Sequence, residues 1–559
     1  MIGLVALTAA GRQAASELAS AWPGRTRLYE GPATEALPRA FAESTRVVAF
    51  CATGVAVRIL GSQVGAKDED PGVVCVDEAR QWAVALVGGH AGGANVLARQ
   101  VSAVLGCRPV VTTGSDAVGV PGLDQLGWPV EGAVSRVGRA VLDGAPVRLE
   151  TDAAWPLPAL PPNVREDAPG AEHVLRVTDL DLHGDAGTAL LRPPSLVVGV
   201  GSSRGVTPDE VGSLVDTALA DAGLSPASVT HVATVEAKAD EEGILEAARR
   251  RGWDVLVHSA EDLAQVEVPN PSEVVRGAVG TPSVAEAAAL LGGGELVVPK
   301  RATSAATVAV VRRPPRGRLA LVGLGPGARD LLAPRAVEEL RRASVVVGLD
   351  QYVEQVRDLL RPGTTVLASG LGQEEERART AVEHARAGRA VALIGSGDAG
   401  IYAMASPSLE IVGEDVDVVG VPGITAALAA SALLGAPLGH DHAMVSLSDL
   451  HTPWDAIEHR VRAVAEGDLV VTFYNPRSRD RDWQLPKALA ILSAHRPPTT
   501  PVGVVRNASR EGEQVLLTTL ADLDPAVVDM LSVVVVGSTN TRLHGGRMVT
   551  PRGYRWMPA

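Results

Sequence analysis

Three loops rich in small residues follow apolar runs in the second half of the chain, and each run predicts a buried strand. The loops are 323–327 (Gly-Leu-Gly-Pro-Gly), 395–398 (Gly-Ser-Gly-Asp) and 421–427 (Val-Pro-Gly-Ile-Thr-Ala-Ala). Loops at the carboxyl ends of neighbouring parallel strands line one crevice. A ligand there would meet bare backbone, one carboxylate (Asp398) and one hydroxyl (Thr425).

The spacing within these loops limits the class of ligand. A dinucleotide fingerprint has its third glycine three residues after the second, whereas 323–327 places it after two, with a proline between. These loops carry no Gly-Lys-Ser/Thr for a triphosphate, so a positively charged nucleoside such as S-adenosylmethionine fits better. Two alternatives stay open: the glycines form ordinary tight turns, and Asp398 and Thr425 only cap the helices expected after Gly400 and Pro422.

In the first half of the chain, His90 stands in a glycine-rich turn (GGHAGG, 88–93) directly before a helical pattern of apolar residues. A histidine in that position can act as a general base or bind an anion at the helix N-terminus. The alternative is an ordinary turn histidine.

The elements that must position these residues follow one pattern. Short Val/Leu/Ile runs alternate with glycine turns and helical segments, which predicts parallel α/β sheets. Proline-rich stretches at 151–194 and 311–318 predict linkers between three such blocks. The predicted strands are 2–7, 46–51, 73–76, 82–87 and 109–112, then 195–200, 231–235, 254–258, 295–299 and 307–311, and finally 318–323, 344–347, 390–394, 468–474, 502–505 and 532–537.

Composition narrows the class of protein. A length of 559 residues, with 46% hydrophobic and 21% charged residues, predicts a globular chain of three or four domains. The net charge of -14 argues against nucleic acid or an anionic membrane as the main partner. The odd, widely spaced Cys51, Cys75 and Cys107 indicate neither a disulfide framework nor a cysteine metal site. No basic leader and no run of ~18 apolar residues is present, so we expect a cytoplasmic protein.

The motifs of the second half resemble those of a known family. VGLGPGARDLL at 322–332, GSGDAGIYAMASPSLE at 395–410 and VPGITAA at 421–427 are similar to the three motifs of the tetrapyrrole (corrin and porphyrin) methylases. TFYNPRSRDRDWQL at 472–485, VVRNASREGE at 504–513 and VVVVGSTNTR at 533–542 resemble the precorrin-3B C(17)-methyltransferase branch. The resemblance implies a two-subdomain α/β fold, a homodimer, and methylation of precorrin-3B by S-adenosylmethionine with ring contraction to precorrin-4.

The resemblance also implies site residues. Those around S-adenosylmethionine are Pro326, Gly397, Asp398, Ile401, Thr425, Ala426, Asn475 and Ala508. The carboxylates of the macrocycle call for arginines, and the candidates are Arg477, Arg479, Arg506 and Arg542, with Arg481 and Arg510 in the same motifs. A solvated loop of self-paired charges is the alternative for this group. Candidates for the proton transfers, none of them assigned a role, are Asp350, Tyr352, His440, His442, Asp449 and His451. We interpret His440 and His442 as a polar loop and predict no metal site.

Residues 1–312 resemble a second family, the cobalt-precorrin-5A hydrolases, which open a lactone on the macrocycle and release acetaldehyde. The matching stretches include FCATGVAVRILG, DPGVVCVDE, GGHAGGANVLA, VTTGSD, VGVGSSRGVTPDEV and ATVEAKADEEGILEAA. Lactone opening needs activated water and a stabilised acyl oxygen, for which His90, Glu236, Lys238 and the backbone of Gly92 and Gly93 are suitable. Glu236 and Lys238, two apart on a predicted strand, share a face; a plain surface ion pair is the alternative.

We therefore expect a multidomain α/β chain, with parallel-rich layered sheets in the N-terminal half followed by a two-subdomain tetrapyrrole methylase fold. The expected domains are 1–115, 116–194 (middle domain and linker), 195–312 and 318–555. The expected function is precorrin methylation fused to a lactone-opening region. In the alternative, the first half is a noncatalytic macrocycle-binding module. A nicotinamide-dependent reductase is disfavoured by the glycine spacing.

Overall fold

A computed structural model describes residues 1–65, 70–89, 92–112, 122–123, 126–478 and 481–554. The chain divides into two compact units. The first unit comprises Met1–Asp152 and Leu160–Pro314, and the second comprises Ala153–Ala159 and Pro315–Ala559. The predicted α/β class with parallel-rich sheets is confirmed, whereas the division into four domains stays a prediction.

The first sheet of the first unit is parallel except for one antiparallel pair, between Gly72–Val76 and Trp82–Val87. Its strands, in order across the sheet, are Thr26–Tyr29, Ile2–Ala6, Arg46–Phe50, Gly72–Val76, Trp82–Val87 and Arg108–Val110. Helices Ala9–Ala21 and Ala94–Leu105 cover one face, and Ala33–Glu43 and Thr53–Leu60 cover the other. Because both faces are covered, the central strands are continuous apolar runs.

The middle sheet corrects a prediction. The stretch 151–194, expected to be a linker, contains strands that join a sheet with the residues before it. The strands, in order, are Val130–Gly132, Thr188–Leu191, His173–Val177, Val147–Thr151 and Val164–Arg165, with helix Val134–Leu142 packed against them. Short strands among prolines and acidic residues left no clear pattern in the sequence.

The third sheet of this unit mixes parallel and antiparallel pairs. Its strands, in order, are Asp254–His258, Val229–Val235, Leu196–Ser202, Ala306–Arg312 and Glu295–Ala302. The associated helices are Pro208–Asp221, Glu242–Arg251, Ala260–Ala264, Glu273–Val279 and Ala285–Leu290. Gly199 lies under the last of these, because a Cβ there would come within 1.9 Å of the Ala285 carbonyl oxygen.

The second unit opens with a fully parallel sheet. Its strands, in order, are Thr365–Ser369, Val345–Leu349, Ala390–Gly395, Arg318–Gly323 and Asp417–Val421. Helices Pro334–Arg342 and Asp350–Val356 pack on one face, while Glu374–Arg386 and Ala405–Leu409 pack on the other. The strand order reverses beside Arg318–Gly323, which is the place where open α/β sheets bind ligands.

The rest of the second unit is a sheet in which most pairs are antiparallel, which the prediction of parallel sheets missed. Its strands, in order, are His442–Ser446, Val470–Tyr474, Ser532–Val536, Pro501–Arg506 and Gln514–Thr519. A small sheet of Gly435–Ala436, Arg547–Val549 and Arg542–His544 accompanies it. The helices of this part are Ala426–Leu434, Trp454–Glu466 and Gln484–Ser493.

Candidate functional site

Three adjacent strands place the three predicted loops side by side. Strand Arg318–Gly323 lies between Ala390–Gly395 and Asp417–Val421, and all three run parallel. The registers pair Gly323 with Gly395 and Val322 with Val421. The loops therefore leave the same edge of the sheet, and the predicted crevice is built from neighbouring strand ends.

The first two loops are joined backbone to backbone. The Gly325 amide donates to the Gly397 carbonyl at 3.0 Å, and the Gly397 amide donates to the Gly325 carbonyl at 2.8 Å. Both glycines have left-handed φ values, 72° and 66°, which other residues adopt at a cost. A Cβ on Gly423, in the third loop, would lie 2.0 Å from the Gly397 carbonyl oxygen. The close contact between the loops is thus one reason why glycine is needed at these positions.

Asp398 connects the second loop to the third. Its Oδ1 accepts a hydrogen bond from the Gly400 amide at 2.8 Å, and its Oδ2 accepts one from the Gly423 amide at 3.0 Å. The suggested role as a helix N-cap is wrong, because the next helix begins at Ala405 with Met404 in the cap position. The carboxylate is half-buried and keeps acceptor capacity beyond these two bonds.

Thr425 occupies the N-cap position of helix Ala426–Leu434, but its side chain makes no capping bond. Its hydroxyl instead lies 2.6 Å from the Tyr474 hydroxyl, which accepts a hydrogen bond from the Ala427 amide at 2.9 Å. The tyrosine therefore does the capping. Burial raises the pKa of Tyr474, and its bonds to Thr425 and Ala427 oppose that rise.

Tyr474 is a site residue that sequence reasoning missed. It stands directly before Asn475 in the motif that carried the resemblance, but nothing in the sequence reveals its contact with a threonine in the third loop. Its ring packs against Tyr402, with centroids 5.2 Å apart, and the Tyr402 hydroxyl donates to the Met444 carbonyl at 2.8 Å. Tyr402 has a left-handed φ of 51°, so its backbone is held in a costly conformation.

Asn475 directly follows strand Val470–Tyr474 and has a left-handed φ of 47°. Its Nδ2 donates to Ser446 Oγ at 3.1 Å, and its carbonyl accepts from Arg481 Nη1 at 2.6 Å. The structure thus places it next to Tyr474 and hence near the third loop. Its assignment to the methyl donor stays a prediction.

The remaining candidates for the methyl-donor site fall on the same elements. Pro326 is buried in the first loop, and the Ile401 amide donates to the Asp398 carbonyl at 3.3 Å. Ala426 and Ala508 both pack against the cluster that contains Val505 and Val535. The structure therefore brings the predicted set to the loops of one sheet edge and the neighbouring helix and hairpin.

The predicted arginines for the macrocycle have separate partners. Arg506 Nε pairs with Asp529 at 2.8 Å, Arg477 donates to the Pro525 carbonyl at 3.2 Å, and Arg542 is exposed. Arg479 lies outside the described residues. Arg510 is the member of the group that reaches the glycine loops, through the Pro326 carbonyl and Ser396 Oγ, each at 2.6 Å.

The candidates for proton transfer are scattered. Asp350 begins helix Asp350–Val356, Asp449 accepts from Gln484 Nε2 at 2.9 Å, and the exposed His440 lies 3.4 Å from Asp441. Tyr352 packs on the helix side of the parallel sheet, and His442 and His451 are exposed. The part of the chain that the structure describes contains no cluster of three or more His, Cys, Asp or Glu side chains fit for a metal ion.

Two of the residues predicted for lactone opening lie in a turn and not on a strand. Glu236 and Lys238 form a 3-10 turn, Glu236–Lys238, after strand Val229–Val235, so the expectation that they share a strand face is wrong. Lys238 Nζ lies 3.8 Å from Glu241 Oε2, and that glutamate is its ion-pair partner. Glu236 Oε1 instead accepts weakly from the Ala260 amide at 3.4 Å.

Glu241 is the centre of this group and was also missed. It is 5% exposed, its Oε1 accepts from the Gly205 amide at 2.9 Å, and Arg204 Nη1 lies 4.0 Å from its Oε2. Its Oε2 accepts no hydrogen bond from any described residue. Lys238 and Arg204 thus flank a buried carboxylate oxygen at the carboxyl end of the sheet, where ligands of α/β sheets bind.

Gly92 and Gly93, which follow His90 in the sequence, lie beside the first sheet. His90 lies outside the described residues, and its neighbours Gly92 and Gly93 pack against the backbone of Asp70 and the side chain of Arg46. Gly93 is the N-cap of helix Ala94–Leu105. Within the described part of the chain, no hydrogen bond or ion pair joins Gly92 or Gly93 to Glu236 or Lys238. The shared role of His90, Glu236 and Lys238 in lactone opening stays a prediction.

Comparison with known proteins finds family matches in both units. The family model of the tetrapyrrole (corrin/porphyrin) methylases matches residues 318–524. The models for the N-terminal and C-terminal parts of cobalamin synthesis G match residues 35–116 and 196–311.

Individual relatives agree with these matches. The probable cobalt-factor III C(17)-methyltransferase of Salmonella typhimurium is 48% identical over 239 residues, which are 42% of this chain and 99% of the relative. The cobalt-factor III methyltransferase of Priestia megaterium is 41% identical over 43% of this chain, and the match spans only 46% of that relative. The precorrin-3B C(17)-methyltransferase of a Sinorhizobium species is 37% identical over 41% of this chain and 91% of the relative.

The chain belongs to the tetrapyrrole methylase family. More particularly, it is a methyltransferase of cobalamin biosynthesis that is fused to both parts of a cobalamin synthesis G region. Among the described residues, no helix combines the length and the apolar character needed to cross a membrane.

Proposed function

We propose that the second unit transfers a methyl group from S-adenosylmethionine to ring carbon 17 of precorrin-3B, or of its cobalt-containing counterpart, with contraction of the ring. The observation that carries this is the meeting of three loops at one sheet edge: Gly325 bonds to Gly397, Asp398 to Gly423, and Thr425 to Tyr474. The names of the similar proteins support carbon 17 as the position of methylation.

The residues present fit S-adenosylmethionine. The glycine loops offer backbone with few side chains in the way, and the acceptor capacity left on Asp398 suits ribose hydroxyls or a cationic ligand. Glycines that already contact each other at 2.8 and 3.0 Å leave no wide cradle for a triphosphate. When bound, S-adenosylmethionine supplies the methyl group.

The chain's own part in methyl transfer is alignment. A sulfonium methyl needs a ring carbon held in line with it, and correct placement alone accounts for much of the rate. Asp398 ties the second loop to the third, and Tyr474 ties the third loop to strand Val470–Tyr474. These contacts fix the donor side. In this proposal, the carboxylates of the macrocycle are held by the predicted arginines, Arg477, Arg479, Arg506 and Arg542.

We further propose that the first unit opens the lactone of a later intermediate. The observation in favour is the buried Glu241 oxygen flanked by Lys238 and Arg204. Two cations can hold a carboxylate of the macrocycle or stabilise the acyl oxygen as water adds. The alternative, a module that binds the macrocycle without reacting, uses the same cations for recognition only.

A methylation assay tests the proposal for the second unit. The purified full chain is incubated with S-adenosylmethionine and either precorrin-3B or cobalt-factor III, and the corrinoid is followed by mass and absorbance. Gain of one methyl with the spectral change of ring contraction supports the methylase proposal, and no gain with either substrate refutes it.

Acetaldehyde released from the lactone intermediate distinguishes a hydrolase from a binding module. The Glu241→Gln variant is expected to lose acetaldehyde release and keep methylation. Glu242→Gln is the matched control, because Glu242 is exposed and faces Arg249 at 3.5 Å. Macrocycle binding without acetaldehyde from the wild-type chain would favour the binding module.

Assembly and location are proposals as well. Dimerisation through the methylase region, in the cytoplasm, follows from the family resemblance. Light scattering on the purified chain measures the mass in solution, and a monomer at micromolar concentration would contradict the dimer.

A further inference from the structure

Arg510 connects the second sheet of the methylase unit to both of the first two glycine loops. It stands in the turn between strands Pro501–Arg506 and Gln514–Thr519. Its Nε donates to the Pro326 carbonyl and its Nη2 donates to Ser396 Oγ, both at 2.6 Å. One planar guanidinium therefore spans two loops that the chain separates by about seventy residues.

The turn that carries Arg510 is built at a cost. Asn507 and Ser509 both have left-handed φ values, 51° and 60°, which residues other than glycine adopt only where the surroundings hold them. The Arg510 amide donates to the Asn507 carbonyl at 2.9 Å, and the Ser509 amide donates to Glu513 Oε2 at 2.7 Å. These bonds hold the turn in the form that projects the arginine.

Gly327 makes room for this side chain. A Cβ at position 327 would lie 2.6 Å from Arg510 Cγ and 2.8 Å from its Nε. The Arg510 side chain thus occupies the space that a side chain at position 327 would need. A glycine at position 327 is therefore needed for Arg510 to reach the first loop.

We propose that Arg510 is the positioning residue of the methyl-donor site and that it sets the spacing between the first and second loops. The inference rests on the proposed function, because these loops carry Pro326, Gly397 and Asp398. Arg510 acts through Pro326 and Ser396 and need not touch the donor. A guanidinium offers two donors at a fixed angle, and a lysine ammonium cannot reproduce both bonds in the same geometry.

The test is calorimetric binding of S-adenosylhomocysteine to the full chain, without macrocycle. We expect Arg510→Gln to raise Kd by about tenfold or more, as for the loss of hydrogen bonds from a charged group. Arg510→Lys should recover only part of that loss. Glu511→Gln is the matched control, because the neighbouring side chain is exposed and makes no hydrogen bond or ion pair with any described residue; its Kd should stay within about twofold.

A double-mutant cycle separates positioning from general destabilisation. If Arg510 acts through Ser396, then Arg510→Gln should weaken binding less in a Ser396→Ala background than in the wild type. KM for the macrocycle should change less than Kd for the donor product. If Arg510→Gln does not fold, as judged by circular dichroism, then Arg510→Lys and Ser396→Ala carry the test.

The outcomes are distinct. Absence of S-adenosylhomocysteine binding by the wild-type chain would overturn the methyl-donor proposal, and with it this role. Binding by the wild type with equal Kd for Arg510→Gln would overturn the role of Arg510 alone. Full additivity in the Ser396 cycle would also refute positioning through that serine.

Discussion

Removing the Tyr474 hydroxyl should destabilise the methylase unit more than removing the Tyr402 hydroxyl from the same aromatic pair. In Tyr474→Phe, the Ala427 amide and the Thr425 hydroxyl lose their partner, and these residues are 0% and 3% exposed. A buried polar group left without a partner costs about 1–3 kcal/mol. With Thr425 free to rotate toward its own helix, we expect a total loss of about 2–4 kcal/mol.

The control follows from exposure. Tyr402 is 54% exposed, and water can replace its bond to the Met444 carbonyl, so Tyr402→Phe should cost no more than about 1 kcal/mol. Urea unfolding monitored by hydrogen exchange of the segment 426–434 reports on this unit without assuming that the whole chain unfolds in one step. Equal losses for the two variants, or faster exchange in Tyr402→Phe, would refute the capping role of Tyr474.

Three further predictions concern other contacts. Asp398→Asn leaves one acceptor oxygen for two amides, so either the Gly400 or the Gly423 amide would face an NH2 group. We expect the free energy of unfolding to fall by about 1–3 kcal/mol and binding of S-adenosylhomocysteine to weaken; unchanged binding by calorimetry would contradict its place in the donor site. Gly423→Ala would put a Cβ 2.0 Å from the Gly397 carbonyl oxygen and should cost several kcal/mol or prevent folding. Gly370→Ala, where nothing lies within 4 Å, should leave the melting temperature almost unchanged, and equal melting shifts for the two glycine variants would argue against the loop contact. The pKa of His231 is lowered from 6.5 to about 4, mainly by burial and secondly by the charge of Arg313. Protonation therefore favours the unfolded state, and the first unit should lose stability as pH falls from 6.5 toward 4. In the His231→Gln variant, the free energy of unfolding measured with urea should differ less between pH 7 and pH 5 than in the wild type. An equal difference in the two proteins would contradict this prediction.

The parallel sheet and its loops could be predicted from the sequence because their signals are local. The strand 318–323 was predicted with the bounds that the structure shows. Neighbouring strand ends then bring Gly325, Gly397 and Thr425 together by topology alone. This part of the site needed no knowledge of side-chain contacts.

Contacts between distant residues could not be predicted in this way. Tyr474 meets Thr425 across 49 positions, and Arg510 meets Pro326 across 184. No periodicity or motif spacing encodes such pairs, which depend on how the two sheets of the unit pack. The sequence analysis named Asn475 and Arg506 as candidates and did not single out Tyr474, which directly precedes Asn475.

Errors of secondary structure had local causes. The alternation Glu236-Ala237-Lys238 looks like a strand, but Val235 already ends one, and the chain turns there into a 3-10 helix. The stretch 151–194 has prolines and acidic residues that mask the short strands His173–Val177 and Thr188–Leu191. In the middle sheet, pairing with neighbouring strands formed structure against the local pattern. After Val235 the pairing ends opposite His258, and the chain turns.

The reciprocal bonds between Gly325 and Gly397 join the first two glycine loops through backbone alone, at the edge of the sheet that we propose binds the methyl donor. A ligand entering a preorganised site spends little of its binding free energy on ordering loops. Binding should therefore leave the hydrogen exchange of these two amides almost as slow as it was. A ligand that needs a wider spacing between these two loops would first have to break both backbone hydrogen bonds, which disfavours its binding.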